Sequence, residues 1–290
     1  MSAVRDVKPF PIPVVSADVP SDFAQEDGLD YLAMPKDMET YRPPMLPEPE
    51  EIAQQAGAVL ALHQVLDALR QVCEAGPKTT DSVSLSGLLP EELNLINQVL
   101  GEGEVSAQVL GPQGAPAVHI QESVFAGVWR VIETLDDGGL RDRIEVGAIP
   151  EVLRQTAKQD GNRMVADLPP LPTDIMNVPS VLVELADQRA HWQPGQVSHV
   201  VNLSLLPLTP TDIAHLDHQL GTGRVLILSR GYGNCRITNC AVPDTWRVVY
   251  YNSQDAVILN SVEVCDMPEV ACAAPEDLLD SMERMTEVLQ

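Results

Sequence analysis

Leu100-Gly101-Glu102-Gly103-Glu104-Val105 recurs 120 residues later as Leu220-Gly221-Thr222-Gly223-Arg224-Val225. Further along the chain, Trp129-Arg130-Val131 matches Trp246-Arg247-Val248 at a spacing of 117 residues. Matching segments that keep their order and nearly their spacing indicate an internal duplication. Two copies favour a pseudo-twofold arrangement over a solenoid. We therefore predict an α+β fold of two tandem, pseudo-twofold-related copies of a unit made of helices and an antiparallel sheet.

Hydrophobic periodicity predicts the same order of elements in both copies. In the first copy these are helix 52–74, strand 83–86, helix 90–100, strands 105–110, 118–125, 128–135 and 143–146, and helix 150–158. In the second copy they are helix 181–192, strand 200–205, helix 210–220, strands 225–228, 236–242, 246–251 and 257–264, and a helix from 275 onwards. Thr209-Pro210-Thr211-Asp212 is a strong helix start, with a hydroxyl N-cap, proline and an early acid.

The repeated Gly-x-Gly turn invites comparison with a phosphate-binding loop. Such loops lead from a strand into the N-terminus of a helix, where backbone amides face the anion. Here the glycines follow a helix and precede a strand, and Glu102 and Glu104 would repel an anion. The pattern instead indicates a helix C-cap at Gly101 and Gly221, followed by a tight connection.

Composition divides the chain into four segments, which we predict to be an acidic, Pro-rich and mostly irregular N-terminal arm at 1–51, a first repeat at 52–160, a linker at 161–173 and a second repeat with a C-terminal helix at 174–290. The arm cannot bury enough apolar surface to fold alone. Its acids are interleaved with Tyr, Leu and Met, side chains that suit adaptable contact surfaces. Both a solvated linker and a segment that docks on its own domain or on a partner fit this composition.

The net charge of −24, from 18 basic and 42 acidic residues, argues against nucleic acid as a partner. It also argues against binding to anionic lipid, and it favours a basic protein surface as partner. No run approaches the roughly 20 apolar residues of a membrane span, and the N-terminus lacks a signal-peptide pattern, so we expect no membrane insertion and a cytoplasmic protein. Five cysteines without a framework spacing fit a reducing compartment.

The residues form no recognisable catalytic constellation, and we expect neither an enzyme nor a cofactor. An alternative is a carrier of metal or of an iron–sulfur cluster that uses Cys235, Cys240, Cys265 and Cys272. Against this, five residues separate the first two, which places their side chains on opposite faces of a strand, so buried apolar thiols are the simpler interpretation. A second alternative is a hydrolase or transferase that acts in a groove between the copies.

The tail Asp27-Gly28-Leu29-Asp30-Tyr31-Leu32-Ala33-Met34-Pro35, the segment Met38-Glu39-Thr40-Tyr41, the Gly-Glu-Gly-Glu-Val-Ser block at 101–106 and the two Trp-Arg-Val segments resemble the HupH/HyaF family of hydrogenase expression/formation proteins. The resemblance runs from about residue 9 to the C-terminus. It implies a non-enzymatic role in maturing an uptake [NiFe] hydrogenase, as a helper of the iron–sulfur small subunit precursor before membrane export, together with other maturation proteins. It supplies no catalytic or cofactor-binding residues.

We predict a protein-binding mechanism in which the arm either covers a pseudo-symmetric groove between the copies or extends to the partner. The residues predicted to contact the partner are Asp30, Tyr31, Met34, Met38 and Tyr41 of the arm and Glu102 and Glu104 of the first Gly-x-Gly turn.

Overall fold

The structure is a computed structural model that describes residues 55–76, 79–111, 114–135, 137–161, 175–231 and 233–290. The predicted N-terminal arm and most of the predicted linker lie outside these residues, and the boundaries assigned to them stay predictions. Within the described ranges, no helix has the length and apolarity that crossing a membrane requires.

Every helix and strand predicted from the sequence is present, with ends that differ by a few residues. The helices are α1 (Ala56–Ala75), α2 (Pro90–Leu100), α3 (Glu151–Gly161), α4 (Val178–His191), α5 (Pro210–Leu220) and α6 (Pro275–Val288). The strands are β1 (Asp81–Ser84), β2 (Val105–Leu110), β3 (Pro116–Glu122), β4 (Val128–Thr134), β5 (Leu140–Val146), β6 (His199–Asn202), β7 (Val225–Ser229), β8 (Asn234–Asn239), β9 (Thr245–Tyr251) and β10 (Val257–Val264).

The predicted strands 118–125, 200–205 and 236–242 are each three residues too long at their C-terminal ends. Strand 200–205 stops at Asn202, and Leu203–Leu205 forms a single 3₁₀ turn instead. The Asn202 side chain accepts a hydrogen bond from the Ser204 N–H at 3.0 Å, which turns the backbone away from the sheet. Asparagine commonly competes with the strand ladder in this way.

The predicted start of α5 is confirmed as a capping box. The Thr209 hydroxyl accepts from the Asp212 N–H at 3.1 Å, and the Asp212 carboxylate accepts from the Thr209 N–H at 3.0 Å. The other oxygen of Asp212 accepts from the N–H groups of Met176 and Val178 at the start of α4. One buried carboxylate therefore caps two neighbouring helices.

The two repeated glycines end α2 and α5, as predicted. Gly101 and Gly221 have φ angles of 56° and 62°, which favour glycine. A Cβ at Gly101 would lie 2.9 Å from Val124 Cγ1, and one at Gly221 would lie 2.8 Å from the Ala241 Cβ. Both the backbone angle and the close approach of the next strand connection therefore require glycine.

The ten strands form one antiparallel sheet in the order β1-β5-β4-β3-β2-β7-β8-β9-β10-β6. The two repeats meet where β2 pairs with β7, and Ala107 opposite Ile227 is the centre of that pairing. Val105 lies opposite Ser229 and Val109 opposite Val225, at equal steps on either side of the centre. The predicted pseudo-twofold relation is thus present in the hydrogen-bond register, and a continuous ladder joins the two repeats.

Three apolar cores stabilise the sheet. Alternate residues of the central strands, among them Ile227 and the twin tryptophans Trp129 and Trp246, form one core that both repeats share. Each indole N–H donates to a backbone carbonyl, at 2.9 Å to Gly147 and at 3.2 Å to Asp266. On the other face, α1, α2 and α6 cover the first repeat, and α4 and α5 cover the second.

The last helix of each repeat packs on the other repeat. Helix α6, which follows β10, lies against α1 and contributes Leu278 and Met285 to the core of the first repeat. Helix α3, which follows β5, lies beside β7, where Asp160 binds Arg224. The two repeats are therefore joined by a shared ladder, a shared core and an exchange of closing helices.

Candidate functional site

Of the residues predicted to contact a partner, Asp30, Tyr31, Met34, Met38 and Tyr41 lie outside the described residues. Glu102 and Glu104 lie in the exposed connection between α2 and β2. The Glu104 carbonyl accepts from the Arg230 N–H at 3.1 Å, and its carboxylate lies against Gly231. The two acids are therefore held at the junction of the repeats and face solvent.

Below this turn lies Glu122, a carboxyl that is only 7% exposed. Burial raises its pKa to about 7, a hydrogen bond from the Gly127 N–H opposes that rise, and the nearby charges of Glu104 and Asp277 add to it. The Gly127 N–H donates to Glu122 Oε1 at 3.2 Å. This end of the first repeat therefore concentrates negative charge near neutral pH.

The equivalent end of the second repeat is neutralised internally. Asn239 stands where the first repeat has Glu122, and Arg224 stands where it has Glu104. Asp160 of α3 accepts from the Arg224 N–H at 2.7 Å, from the Arg224 guanidinium at 2.8 Å and from the Asn239 amide at 3.2 Å. Burial alone would raise the pKa of Asp160, but these hydrogen bonds outweigh it and lower the pKa. Among the described residues, this position therefore carries the acids Glu104 and Glu122 in the first repeat and Arg224 and Asn239 in the second.

The structure separates the four cysteines of the carrier alternative. The side chains of Cys235, Cys265 and Cys272 belong to the shared core, whereas Cys240 belongs to the core of the second repeat on the other face. Burial raises the pKa of Cys235 and of Cys240 to about 12, and it raises the pKa of Cys265 further. Burial therefore favours the neutral thiol at these positions over the thiolate that binds a metal. In the described part of the chain, no three His, Cys, Asp or Glu side chains are grouped to hold a metal ion.

A cleft of about 690 Å³ lies in the second repeat between α5 and the strands β8, β9 and β10. Its polar lining residues include Asp217 and His218 from α5, Arg236 and Thr238 from β8, Arg247 and Tyr251 from β9, and Asn260 from β10. Its apolar lining comes from residues such as Ile213, Val249 and Val257. Specific sites for small ligands are typically concave and apolar with a few polar groups, as here.

Arg247, the arginine of the second Trp-Arg-Val segment, lies in the floor of this cleft with its side chain 13% exposed. Its Nη1 lies 3.3 Å from the Asp217 carboxylate, but that atom makes no hydrogen bond with any described residue. Desolvation lowers the pKa of Arg247, and the Asp217 charge acts in the opposite direction. The Oδ1 of Asn260 is likewise buried without a partner among the described residues.

The first repeat shows the same arginine fully bound. Arg130 is 2% exposed, donates to both oxygens of Asp142, and donates to Asn97 Oδ1 at 2.8 Å. Asn97 on α2 corresponds to Asp217 on α5, and Asp142 on β5 corresponds to Asn260 on β10. The carboxylate and the amide have therefore exchanged positions between the repeats.

In the sequence, the two Trp-Arg-Val segments served only as markers of the repeat and of the family resemblance. The signal that was missed is an arginine in the middle of each buried strand, since a buried guanidinium needs an acceptor. Aligning the repeats would then have shown the exchange of Asn97 and Asp142 for Asp217 and Asn260.

The fold and the cleft define the class of this protein. It is a duplicated α+β protein in which two repeats share one antiparallel sheet and the second repeat contains a cleft with polar and apolar lining. The family model described as HupH hydrogenase expression protein, C-terminal conserved region, matches residues 55–168 and again 175–290. The chain belongs to this family, and the resemblance stated from the sequence is confirmed.

Several curated relatives match most of the chain. The hydrogenase expression/formation protein HoxQ of Cupriavidus necator is 54% identical over 97% of both chains. The hydrogenase expression/formation protein HupH of Rhodobacter capsulatus is 42% identical over 98% of both. The hydrogenase-1 operon protein HyaF of Escherichia coli is 35% identical over 72% of both. A solved structure, the hydrogenase expression protein HupH from Thiobacillus denitrificans, is 28% identical with a TM-score of 0.36, covering 38% of this chain and 92% of that one.

Proposed function

We propose that this protein is a non-enzymatic accessory factor of hydrogenase maturation that binds the iron–sulfur small subunit precursor of an uptake [NiFe] hydrogenase in the cytoplasm. The observation that carries the maturation role is 54% identity over 97% of both chains with a hydrogenase expression/formation protein. The small subunit and the uptake type of hydrogenase rest on the family resemblance of the sequence.

A binding role is supported by the electrostatics of the described residues. The chain carries a net charge of −24, and Glu102 and Glu104 extend from the junction of the repeats into solvent. Complementary charge speeds association and selects partners, so these acids favour a basic surface on the partner. The protonated, buried cysteines are unsuited to nucleophilic chemistry, which agrees with a protein that binds without reacting.

The test is co-expression without oxygen with the precursor of a hydrogenase small subunit, followed by native mass spectrometry. The expected result is a stoichiometric complex whose mass contains no metal beyond that of the precursor. Charge reversal at the turn, Glu102→Lys with Glu104→Lys, should weaken the complex. The matched control, Glu283→Lys with Glu287→Lys, reverses two exposed acids on α6 and should leave it intact.

The absence of a complex with the wild-type chain would refute the proposed partner. An intact complex with the reversed turn would refute the role of Glu102 and Glu104 without affecting the partner. Deleting residues 1–50 tests the predicted arm in the same experiment, since unchanged binding would remove any role of the arm.

A further inference from the structure

In the cleft of the second repeat, the carboxylate nearest the buried arginine is Asp217 on the helix, whereas in the first repeat it is Asp142 on the neighbouring strand. In the first repeat, Asp142 accepts from Arg130 through both oxygens, the bidentate geometry that guanidinium and carboxylate favour. In the second repeat, Asn260 takes that position, and no described residue accepts a hydrogen bond from Arg247 Nη1.

A second cation lies beside Arg247. Thr238 is opposite Arg247 and Arg236 is opposite Val249, so Arg236 is a diagonal neighbour of Arg247 on the same face of the sheet. The Arg236 guanidinium faces the hydroxyl of Tyr251, a neutral group that also lines the cleft. The first repeat has His119 at the position of Arg236, and burial lowers the pKa of that imidazole, which keeps it neutral near pH 7.

Two arginines and one carboxylate, Asp217, thus line a cleft in a chain whose net charge is −24. A local excess of positive charge in an acidic protein concentrates anions at that place. The remaining walls are largely apolar, from Ile213 on α5 to Val249 and Val257 on the strands. The arginines and the apolar walls together favour a ligand in which an anionic group is attached to an apolar group.

We propose that the cleft of the second repeat binds a carboxylate attached to an apolar body, with Arg247 and Arg236 as its cationic partners. The first repeat supports this proposal, because the equivalent arginine, Arg130, binds the carboxylate of Asp142 from the same chain. Two sources present this chemistry, the C-terminal residue of a polypeptide and a free carboxylic acid. A volume of about 690 Å³ accommodates either one. This inference does not rest on the proposed maturation role.

The test is isothermal titration calorimetry of the full chain with three probes that share an apolar body: the peptide N-acetyl-Ala-Val-Leu, its C-terminal amide, and 4-methylpentanoate. At least one of the two acids should bind, and the amide should bind at least about tenfold more weakly than the peptide acid if the peptide is the ligand. Binding of the peptide alone identifies a polypeptide C-terminus as the source. Equal binding of 4-methylpentanoate identifies the free acid.

The decisive variant is Asp217→Asn combined with Asn260→Asp, which gives the second repeat the residues of the first without changing the net charge. The new carboxylate should bind Arg247 internally, so the variant should fold with unchanged or higher thermal stability and lose at least about tenfold in affinity. Arg236→Gln should weaken binding too. Arg70→Gln, an exposed arginine on α1, is the matched control and should bind as the wild type does.

Three results would overturn the proposal. The first is no heat of binding from either acid up to millimolar concentrations. The second is equal affinity of the peptide acid and its amide. The third is a double variant that folds and binds as tightly as the wild type.

Discussion

Replacing Glu122 by Gln should remove a pH-dependent loss of stability that arises inside the first repeat. The pKa of this buried carboxyl is about 7 in the folded protein, compared with an ordinary value of 4.5. Because the folded pKa is raised, the stabilising contribution of the protonated group is complete below pH 4.5. It is lost as the pH rises through 7. At pH 8 the wild type therefore carries the full cost of a buried, ionised carboxylate.

Raising the pKa from 4.5 to about 7 costs about 3 kcal/mol at pH 8, since a tenfold change in a protonation equilibrium corresponds to about 1.4 kcal/mol. Glutamine cannot ionise, and its one oxygen can still accept from the Gly127 N–H, although it does not replace the second carboxylate oxygen that faces the Val105 N–H. The variant should therefore be about 3 kcal/mol more stable than the wild type at pH 8, and the two should differ by less than about 1 kcal/mol at pH 5.

Urea denaturation at several values between pH 5 and pH 8 measures this difference, and tryptophan fluorescence reports on the shared core through Trp129 and Trp246. The control Glu283→Gln changes an exposed carboxyl on α6 and should follow the wild-type curve. Parallel pH curves for the wild type and the Glu122→Gln variant would refute the assignment of a raised pKa to this residue.

Three further substitutions test the frame of the fold by thermal or urea denaturation. Gly101→Ala should cost about 1–3 kcal/mol, because φ is 56° there and the new Cβ meets Val124; an unchanged melting temperature would contradict this. Asp160→Ala should cost about 3 kcal/mol, because it leaves partners of a buried carboxylate unsatisfied, whereas Asp67→Ala, which removes an exposed ion pair on α1, should cost less than about 1 kcal/mol. Ile227→Ala should cost about 2–5 kcal/mol and keep a single transition, since a separate transition for either repeat would show that the junction is not shared.

Most of the secondary structure could be predicted because local chemistry specifies it. A helix that ends in glycine and leads into alternating apolar residues permits few other arrangements, and the duplication repeats that information for each element. The exchange of α3 and α6 could not be predicted, because the apolar spacing of Leu278 and Met285 indicates that this helix face is buried but not which repeat covers it. Exchange of equivalent elements is a small change in contacts but a large change in connectivity.

The candidate site was less accessible to sequence reasoning for a related reason. Asp217 and Asn260 are distant in sequence, and neither stands out in an acidic chain. They can be recognised as part of a site only once it is known that both lie near Arg247. The register of β9 against β10 places Asn260 near Arg247, and the packing of α5 on the sheet places Asp217 there. The acids of the first turn, by contrast, were identified from the sequence, and their contact with a partner stays a prediction.

The packing of α6 on the first repeat also affects how the protein folds while it is being synthesised. Domains generally fold from the N-terminus as they are synthesised. Here the first apolar core stays incomplete until Leu278 and Met285, about 200 residues after α1, have been translated. A premature stop codon shortly before Pro275 would therefore expose apolar surface around α1, more than 200 residues upstream. Quality control of truncated chains would act on the half of the protein that was made first.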